Sequence, residues 1–447
     1  MKKSISSGIW VVAGVLALAT VGCGDGDHLS QVSTDAPGGG LSGGSLGETL
    51  TVYAVDSDSG QPIPSAIVRL GAGAQAHVAG RTGSNGKLTL TGMAGEPQFV
   101  TVSAPGYAAA SWGLITAAVA TIPLEAMDVV PGTADLIVTI PDWEKLGAPP
   151  EGKYRLARFA FSRPSGLEAL EATADGPLAE CRASGELNGP CSIKLSVPAD
   201  TTTVMAIIAE GDDAGTAEAS DDVFTMTHIG IVTNLSLRAW ATSSATITPI
   251  DGDRVARATI VQRPGGSDIF QEVVGVPGIT LGGQLLLYPP LGSMSSTFLV
   301  PTASGEFENL KLWAVATAGN GTATDWSRSY ERGVAAPVDS TQSITLSTYG
   351  FLGLPSISEL APSRYTLSSS ADLNRLEFTT PDGQELNALL FPPQTEFEMP
   401  AGVLAGHPTD VSVEAFDWQL DPHSFDFRAL IGQTRRIAYA QAEPLAR

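Results

Sequence analysis

The densest group of carboxylates in the sequence lies in the stretch AEGDDAGTAEASDD, residues 209–222. Carboxylate oxygens clustered in one loop are the ligands that Ca²⁺ prefers, so this stretch is the best candidate for a metal site. A charge run more commonly forms a solvated loop without an ion, and that alternative stays open. The sequence suggests no other cofactor. The candidate calcium ligands are Glu210, Asp212, Asp213, Asp221 and Asp222.

A second acidic pair, Asp56 and Asp58, stands before Gly60 in the stretch DSDSG. An EF-hand calcium loop needs acidic or amide residues at positions one, three and five, Gly at six and an acid at twelve. Counted from Asp56, positions five, six and twelve are Gly60, Gln61 and Ile67, so the pattern fails. Glycoside hydrolysis needs two carboxylates across a cleft rather than two neighbours on one tip. We therefore predict a turn in which Asp side chains accept local backbone N–H groups.

The residue types of hydrolytic sites are present but do not combine into a recognisable set. None of the five histidines follows an H-x-H or H-E-x-x-H pattern, so a zinc hydrolase site has no visible ligands. His423 lies near Asp421 and Asp426, but a catalytic triad depends on a geometry that spacing does not supply. Ser45 is the centre of a G-x-S-x-G match, yet its flanks resemble a linker rather than the strand and helix of a nucleophile elbow. The sequence predicts no catalytic activity.

Two aromatic residues, Trp326 and Tyr330, fall in the stretch GNGTATDWSRSYERG, which we predict to be a loop. An aromatic ring exposed on a loop can stack on the apolar face of a sugar, which makes this pair a candidate carbohydrate-binding site. The alternative is that both rings fill the core or pack at a sheet edge, as large aromatic residues commonly do.

Composition indicates that these residues are positioned by strands. The chain has 447 residues, of which 43% are hydrophobic, with 49 Gly and 30 Pro. Many short apolar runs separated by Gly and Pro turns are typical of all-β folds. The net charge of −22 repels nucleic-acid phosphates and anionic lipid head groups, so we expect no nucleic-acid partner.

The N-terminus has the pattern of a signal peptide. Lys2 and Lys3 precede the apolar run 9–22, which is too short to span a membrane comfortably. The run ends at Val21-Gly22-Cys23, which resembles the lipobox of bacterial lipoproteins, with Thr20 where Leu is usual. The resemblance implies that residues 1–22 are removed and that Cys23 carries the lipid that anchors the protein in a membrane. The alternatives are an ordinary secretory signal and a retained transmembrane anchor.

The two remaining cysteines, Cys181 and Cys191, are an even pair in what would be an oxidising compartment. The segment between them contains Gly185, Asn188 and Gly189, which allow the chain to turn back. We predict a disulfide that closes a hairpin.

Residues 23–47 are rich in Gly, Ser and Asp and predict a flexible linker, and residues 48–126 predict the first β-sandwich. Three stretches of this first unit, TVYAVDSDSGQPIPSAIVRL, GRTGSNGKLTLTG and VTVSAPGYAAAS, resemble the carboxypeptidase regulatory-like domain. This resemblance implies a transthyretin-like sandwich that carries no catalytic residues. Gly83 and Leu88 depart from the family pattern. The matching positions are Gly60, Pro62, Ile63, Ala66, Val68, Thr82, Asn85, Gly86, Val102, Ala104, Gly106 and Tyr107.

Residues 127–447 contain further strand-like runs that recur about every 100 residues, as expected for tandem sandwich domains. The stretches that begin at Met205, Trp313 and Val413 each combine an apolar strand with a Gly-rich or acidic loop. We predict a β domain with the disulfide at 127–246 and β-sandwiches at 247–347 and 348–447.

Together these features predict a lipid-anchored protein of the bacterial cell envelope with a binding or scaffolding role. We expect it on the outer membrane or cell surface, or alternatively on the periplasmic face of the inner membrane. Its partner would be an envelope protein or a glycan. The functional alternatives are a carbohydrate-binding surface protein and an extracytoplasmic hydrolase with its site in the C-terminal half.

Overall fold

The computed structural model describes an all-β protein whose strands fall into four groups, which we call modules 1 to 4. Among the described residues, no helix is long and apolar enough to cross a membrane. The structure describes residues 39–442 apart from Asp58 and the segments 128–131, 165–179, 184–188, 213–221, 263–271, 290, 292, 295, 320–324, 392, 418–420, 422 and 428–433.

Modules 1 and 2 contain eight strands each among the residues that the structure describes. Strand β9 shows how the sequence selects this structure, because TADLIVTI alternates between buried and more exposed side chains along its length. The strands of module 1 are β1 (Gly40–Ser45), β2 (Thr49–Asp56), β3 (Ile67–Leu70), β4 (His77–Arg81), β5 (Lys87–Thr91), β6 (Gln98–Ser103), β7 (Ala109–Ile115) and β8 (Ala117–Leu124). Those of module 2 are β9 (Thr133–Ile140), β10 (Lys153–Phe161), β11 (Arg163–Pro164), β12 (Glu180–Ala183), β13 (Cys191–Pro198), β14 (Val204–Asp212), β15 (Val223–Val232) and β16 (Thr242–Thr246).

Modules 3 and 4 also contain eight described strands each. Among the described residues, short 3-10 turns occur at Gly73–Gln75, Trp143–Leu146, Gly252–Arg254 and Gly305–Phe307. The strands of module 3 are β17 (Val255–Gln262), β18 (Glu272–Leu281), β19 (Gln284–Leu287), β20 (Ser293–Met294), β21 (Thr297–Pro301), β22 (Lys311–Gly319), β23 (Trp326–Ala335) and β24 (Ser343–Thr348). Those of module 4 are β25 (Ser356–Ala361), β26 (Arg364–Ser368), β27 (Leu373–Thr379), β28 (Glu385–Leu390), β29 (Glu396–Glu398), β30 (Asp410–Asp417), β31 (Phe425–Asp426) and β32 (Arg436–Gln441).

The modules repeat one topology. Each has an antiparallel row of four strands, in the orders β4-β3-β6-β7, β12-β10-β14-β15, β19-β18-β22-β23 and β28-β27-β30-β32. Each module also has a smaller sheet. In modules 1 to 3 the central strand of this sheet pairs antiparallel with one neighbour and parallel with the other, which is the last strand of the module. The orders are β5-β2-β8, β13-β9-β16 and β21-β17-β24. In module 4 the small sheet β25-β26-β29 is antiparallel throughout. Four copies of one strand order indicate an internal repeat.

Modules 3, 4 and 1 are joined through their main chains. Strand β23 of module 3 pairs antiparallel with β32 of module 4, and β28 of module 4 pairs parallel with β7 of module 1. With β11 added beside β19, these rows form one sheet of 13 strands, which we call the joined sheet. Main-chain pairing therefore connects modules 3, 4 and 1 directly.

The hydrophobic cores also cross module boundaries. One core combines Leu156 and Ile207 of module 2 with Phe298 and Leu312 of module 3. The run Val204–Ala209 is buried without interruption because alternate residues of β14 face this core and the core of module 2 itself. A strand covered on both faces reads as a continuous apolar run. Another core combines residues of modules 1, 3 and 4.

Two sequence predictions are corrected by the fold. The flexible linker was expected to extend to residue 47, but β1 pairs with β8 and with β31 of module 4, and Leu41 is buried.

The pairing of Cys181 with Cys191 is confirmed, with their Cα atoms 6.0 Å apart. It does not close a hairpin of paired strands, because β12 belongs to the sheet of β10 and β13 to the sheet of β9. The disulfide joins the two sheets of module 2.

Candidate functional site

The predicted lipid attachment residue, Cys23, lies outside the described residues, as does the whole signal peptide. Of the acidic pair near the start of module 1, Asp58 also lies outside them. Asp56 accepts hydrogen bonds at Oδ1 from the backbone N–H and the hydroxyl of Ser59, both at 2.7 Å, and its Oδ2 accepts the Tyr107 hydroxyl at 3.2 Å. Gly60 follows with φ +67°. The prediction that this stretch is a turn is confirmed.

The candidate calcium ligands are divided between described and undescribed residues. Asp213 and Asp221 lie outside the described residues. Glu210 pairs with Arg155 at 2.6 Å, and Asp222 is buried and accepts a hydrogen bond from the Tyr154 hydroxyl. Within the described part of the chain, no three His, Cys, Asp or Glu side chains are grouped as metal ligands. Calcium binding by this loop stays a prediction.

The two candidate sugar-binding aromatics lie in strand β23 and not in a loop. Tyr330 is 1% exposed and packs in the core shared by modules 1, 3 and 4. Trp326 begins the strand and stacks on Tyr439, with ring centroids 5.5 Å apart, and the guanidinium of Arg328 lies 4.1 Å from its ring. The placement in a loop was wrong, because the three polar residues between these aromatics are themselves buried in a strand. Little aromatic surface is left for a sugar.

Of the catalytic candidates, His423 lies in a turn and Ser45 in a strand. Asp421 accepts the backbone N–H of His423 at 2.9 Å, which is a local turn contact rather than the orientation of an imidazole by a carboxylate. Ser45 ends β1 and is exposed, and the next element is strand β2. A nucleophile elbow would place a helix there.

The structure brings together a polar group that the sequence analysis missed. It lies on one face of the module 4 part of the joined sheet, and we call it the polar face. Arg375 of β27 is opposite Glu414 of β30, and Glu377 is opposite Asn387 of β28. Paired residues of neighbouring strands lie on the same face of a sheet, and alternate residues of one strand do too. The polar face consists of Arg375, Glu377, Glu385, Asn387, Asp410 and Glu414.

The other face of these strands explains why the polar face is fixed in place. Leu376 and Phe378 alternate with Arg375 and Glu377 and are fully buried beneath the small sheet of module 4. The ring of Phe378 lies 4.8 Å from that of Tyr365. A shift of the strand pairing by one residue would move Leu376 and Phe378 to the opposite face of the sheet. The register that buries Phe378 therefore also determines which residues lie on the polar face.

One buried ion pair lies at the inner end of the polar face. Arg375 Nη2 is 2.6 Å from Glu414 Oε2, and the two side chains are 7% and 10% exposed. A buried pair of this kind costs desolvation energy that its own attraction offsets only with good geometry. Because Arg375 is already paired with Glu414, it forms no ion pair with the other carboxylates of the polar face.

The remaining carboxylates are half-buried and close enough to influence one another. Burial raises the pKa of Glu377 to about 7; the negative charges of Glu414, Glu385 and Asp410 add to this effect, and Arg375 opposes it. Burial also raises the pKa of Glu385. Asp410 accepts the Gln441 side-chain amide at 2.7 Å.

Among the residues that the structure describes, the Asn387 side chain has no hydrogen-bond partner at either amide atom, although it is only 5% exposed. Buried polar groups in native proteins are nearly always hydrogen-bonded, so an orphan amide beside a cluster of carboxylates needs an explanation.

The sequence held one signal for this site, since RLEF and VEAF place charges inside strand-like runs. In the sequence alone, without the pairing of β27 with β28 and β30, those charged residues look the same as charged residues on a solvated strand face.

Comparisons with known proteins identify no family. No protein-family model matches the chain, and no curated protein matches it. Solved structures with weak similarity include the Bacillus anthracis TIE protein (10% identity, 68% of this chain, TM-score 0.14) and the shaft pilin SpaA from Lactobacillus rhamnosus GG (11%, 49%, 0.13). A third is BcpA, the major pilin subunit of Bacillus cereus (8%, 67%, 0.15).

These matches cover different shares of the other chains. The chain spans half the length of the TIE protein, 98% of SpaA and 99% of BcpA. With TM-scores far below 0.5, they assign neither a fold family nor a function.

Proposed function

We propose that this chain is a lipid-anchored protein of the bacterial cell envelope that acts by binding or scaffolding and has no catalytic activity of its own. The observation that carries the scaffolding role is the joined sheet. Main-chain hydrogen bonds across β23–β32 and β28–β7 fix three modules relative to one another. A body built in this way can hold the binding surfaces of its modules at a constant distance and orientation from one another.

The anchor is proposed from the N-terminal sequence. Lys2, Lys3, the apolar run 9–22 and Cys23 together resemble a lipoprotein signal. Several acyl chains on one cysteine would hold the protein stably, whereas a single chain binds only marginally. The site of attachment would be the outer membrane or cell surface.

Metabolic labelling with an alkyne analogue of palmitate tests this anchor. We expect label in the wild-type chain and none in Cys23→Ser, with the labelled protein in the membrane fraction. Formation of the Cys181–Cys191 disulfide in both proteins serves as the control for folding. Equal labelling of the two proteins would contradict the proposal.

We further propose that module 1 is a carboxypeptidase regulatory-like, transthyretin-like module. Support comes from the position of its motif residues, which meet at one corner of the sandwich. The Thr82 hydroxyl donates to the Ile63 carbonyl at 2.8 Å and accepts the Ala66 N–H at 2.9 Å, so it ties the first motif to the second. A crystal structure of module 1 in which this corner is built differently would count against the assignment.

A second candidate function, carbohydrate binding, is favoured by Trp240. Its side chain is 78% exposed and its backbone has φ +64°, held by a hydrogen bond from its N–H to the Thr133 carbonyl at 2.7 Å. A bulky residue at positive φ is an outlier, and such strain is often found at binding sites. On a glycan array we expect retention that Trp240→Ala abolishes and Trp326→Ala preserves. Equal retention of both variants would contradict this role for Trp240.

A further inference from the structure

We propose that the polar face of module 4 binds an organic polycation, a molecule that carries two or more ammonium or guanidinium groups. The proposal adds a ligand class to the binding role, and it holds whether or not Cys23 carries lipid. The two tests can therefore fail independently.

The first argument is charge. The polar face holds four carboxylates and one guanidinium, and that guanidinium is already paired with Glu414. Glu377, Glu385 and Asp410 form no ion pair among the described residues, and all three are half-buried. Half-buried carboxylates attract a cation more strongly than fully solvated ones, because solvent screens their charge less.

The second argument is spacing. Glu385 and Asp410 both pair with Thr379, from opposite sides of β27. Neighbouring strands are about 4.8 Å apart, so these two residues are separated by roughly 10 Å, and Glu377 is roughly 7 Å along β27 from Thr379. Among the described residues, these carboxylates are not grouped closely enough to hold a metal ion. A flexible organic molecule with several separated cationic groups can bridge such distances.

The third argument is the orphan amide. Asn387 lies directly opposite Glu377, and within the described part of the chain neither its Oδ1 nor its Nδ2 has a partner. An ammonium group placed between the two residues would donate one hydrogen bond to Asn387 Oδ1 and another to the Glu377 carboxylate. An acidic cluster alone would not define a ligand, but a buried amide with an unused acceptor identifies where one cationic group enters.

Ligand binding should be coupled to proton release. Arg375 on the same strand, Glu414 and Asp410 on β30, Glu385 on β28 and Tyr439 on β32 are the charged or titratable groups around Glu377. With no cation bound, the raised pKa of Glu377 means that a proton occupies the carboxylate below about pH 7. A cation has to displace that proton, so affinity should increase between pH 6 and pH 8.

Isothermal titration calorimetry of the full chain with spermidine, tetralysine and calcium chloride tests the proposal. We expect a polycation to bind at pH 8, with about tenfold weaker binding in Glu377→Gln and in Asn387→Leu. Glu308→Gln removes an equal charge from an exposed position and should bind as the wild type does. Binding of spermidine would assign the site to free polyamines, and binding of tetralysine alone would assign it to a basic segment of a protein.

Two outcomes would overturn the proposal. Equal polycation binding by all variants would mean diffuse attraction to a chain of net charge −22. Calcium binding that Glu377→Gln abolishes, without polycation binding, would mean a metal site. Both site variants should stay folded, since each removes an unfavourable buried group, and the melting temperature of Asn387→Leu should equal or exceed that of the wild type.

Discussion

Replacing Glu377 by Gln should stabilise module 4 at alkaline pH and change it little at acidic pH. In the folded state the pKa of Glu377 is raised to about 7, against 4.5 for a free side chain. The folded protein therefore keeps a proton that the unfolded chain releases. Stability contributed by this carboxyl is present below about pH 4.5 and is lost as pH rises towards 7.

The size of the effect follows from the two pKa values. A pKa raised from 4.5 to about 7 corresponds to about 3 kcal/mol of lost stability once the carboxyl is ionised in both states. Because Glu377 keeps some contact with solvent, we expect about 2 kcal/mol. Gln has nearly the same shape and no charge to desolvate, so Glu377→Gln should recover this amount at pH 8.

Urea unfolding followed by tryptophan fluorescence measures the difference. The midpoint of Glu377→Gln should exceed that of the wild type at pH 8, and the two should nearly coincide at pH 4. Glu308→Gln, at an exposed position, controls for the change in net charge. If the variant and the wild type differ by the same amount at both pH values, burial of Glu377 among carboxylates is not the cause.

Three further changes test the packing by urea unfolding. Cys181→Ala opens a disulfide that spans 10 residues and should cost about 3 kcal/mol, a loss that reductant also produces in the wild type. Gly86→Ala should lower the free energy of unfolding by about 2 kcal/mol, because the backbone has φ +68° and a Cβ would lie 2.9 Å from the Pro62 Cβ. An unchanged unfolding midpoint would contradict the turn geometry. Arg375→Met leaves Glu414 buried without its ion-pair partner and should lower the free energy of unfolding by about 3 kcal/mol. The double variant Arg375→Met/Glu414→Gln should recover most of that loss.

The local features of the fold could be predicted from the sequence. Alternation in TADLIVTI predicts strand β9, and Asp56 with Gly60 predicts the first turn of module 1. The pairing of Cys181 with Cys191 followed from their number and their separation. These predictions succeed because the interactions that determine them lie within a few residues of one another.

The joined sheet and the polar face could not be predicted, because both depend on pairings between distant segments. Strand β7 pairs with β28 more than 270 residues later, and no local pattern specifies that contact. Arg375 and Glu377 alternate with apolar residues as a solvated strand face would, so their burial becomes visible only with the neighbouring strands in place. Trp326 and Tyr330 were assigned to a loop for a related reason. The Ser and Arg residues that separate them suggest solvent exposure in the sequence, but they are buried in the strand.

The central claim is that main-chain pairing joins the modules into one body. Amide hydrogen exchange, resolved to single residues by mass spectrometry with electron-transfer fragmentation, tests it most directly at β23 and β32. If these strands pair across the module boundary, as Trp326 with Tyr439 and Arg328 with Ile437, consecutive amides of both strands should exchange slowly. If modules 3 and 4 are independent, β23 and β32 are edge strands, and every second amide should exchange at the rate of an exposed edge.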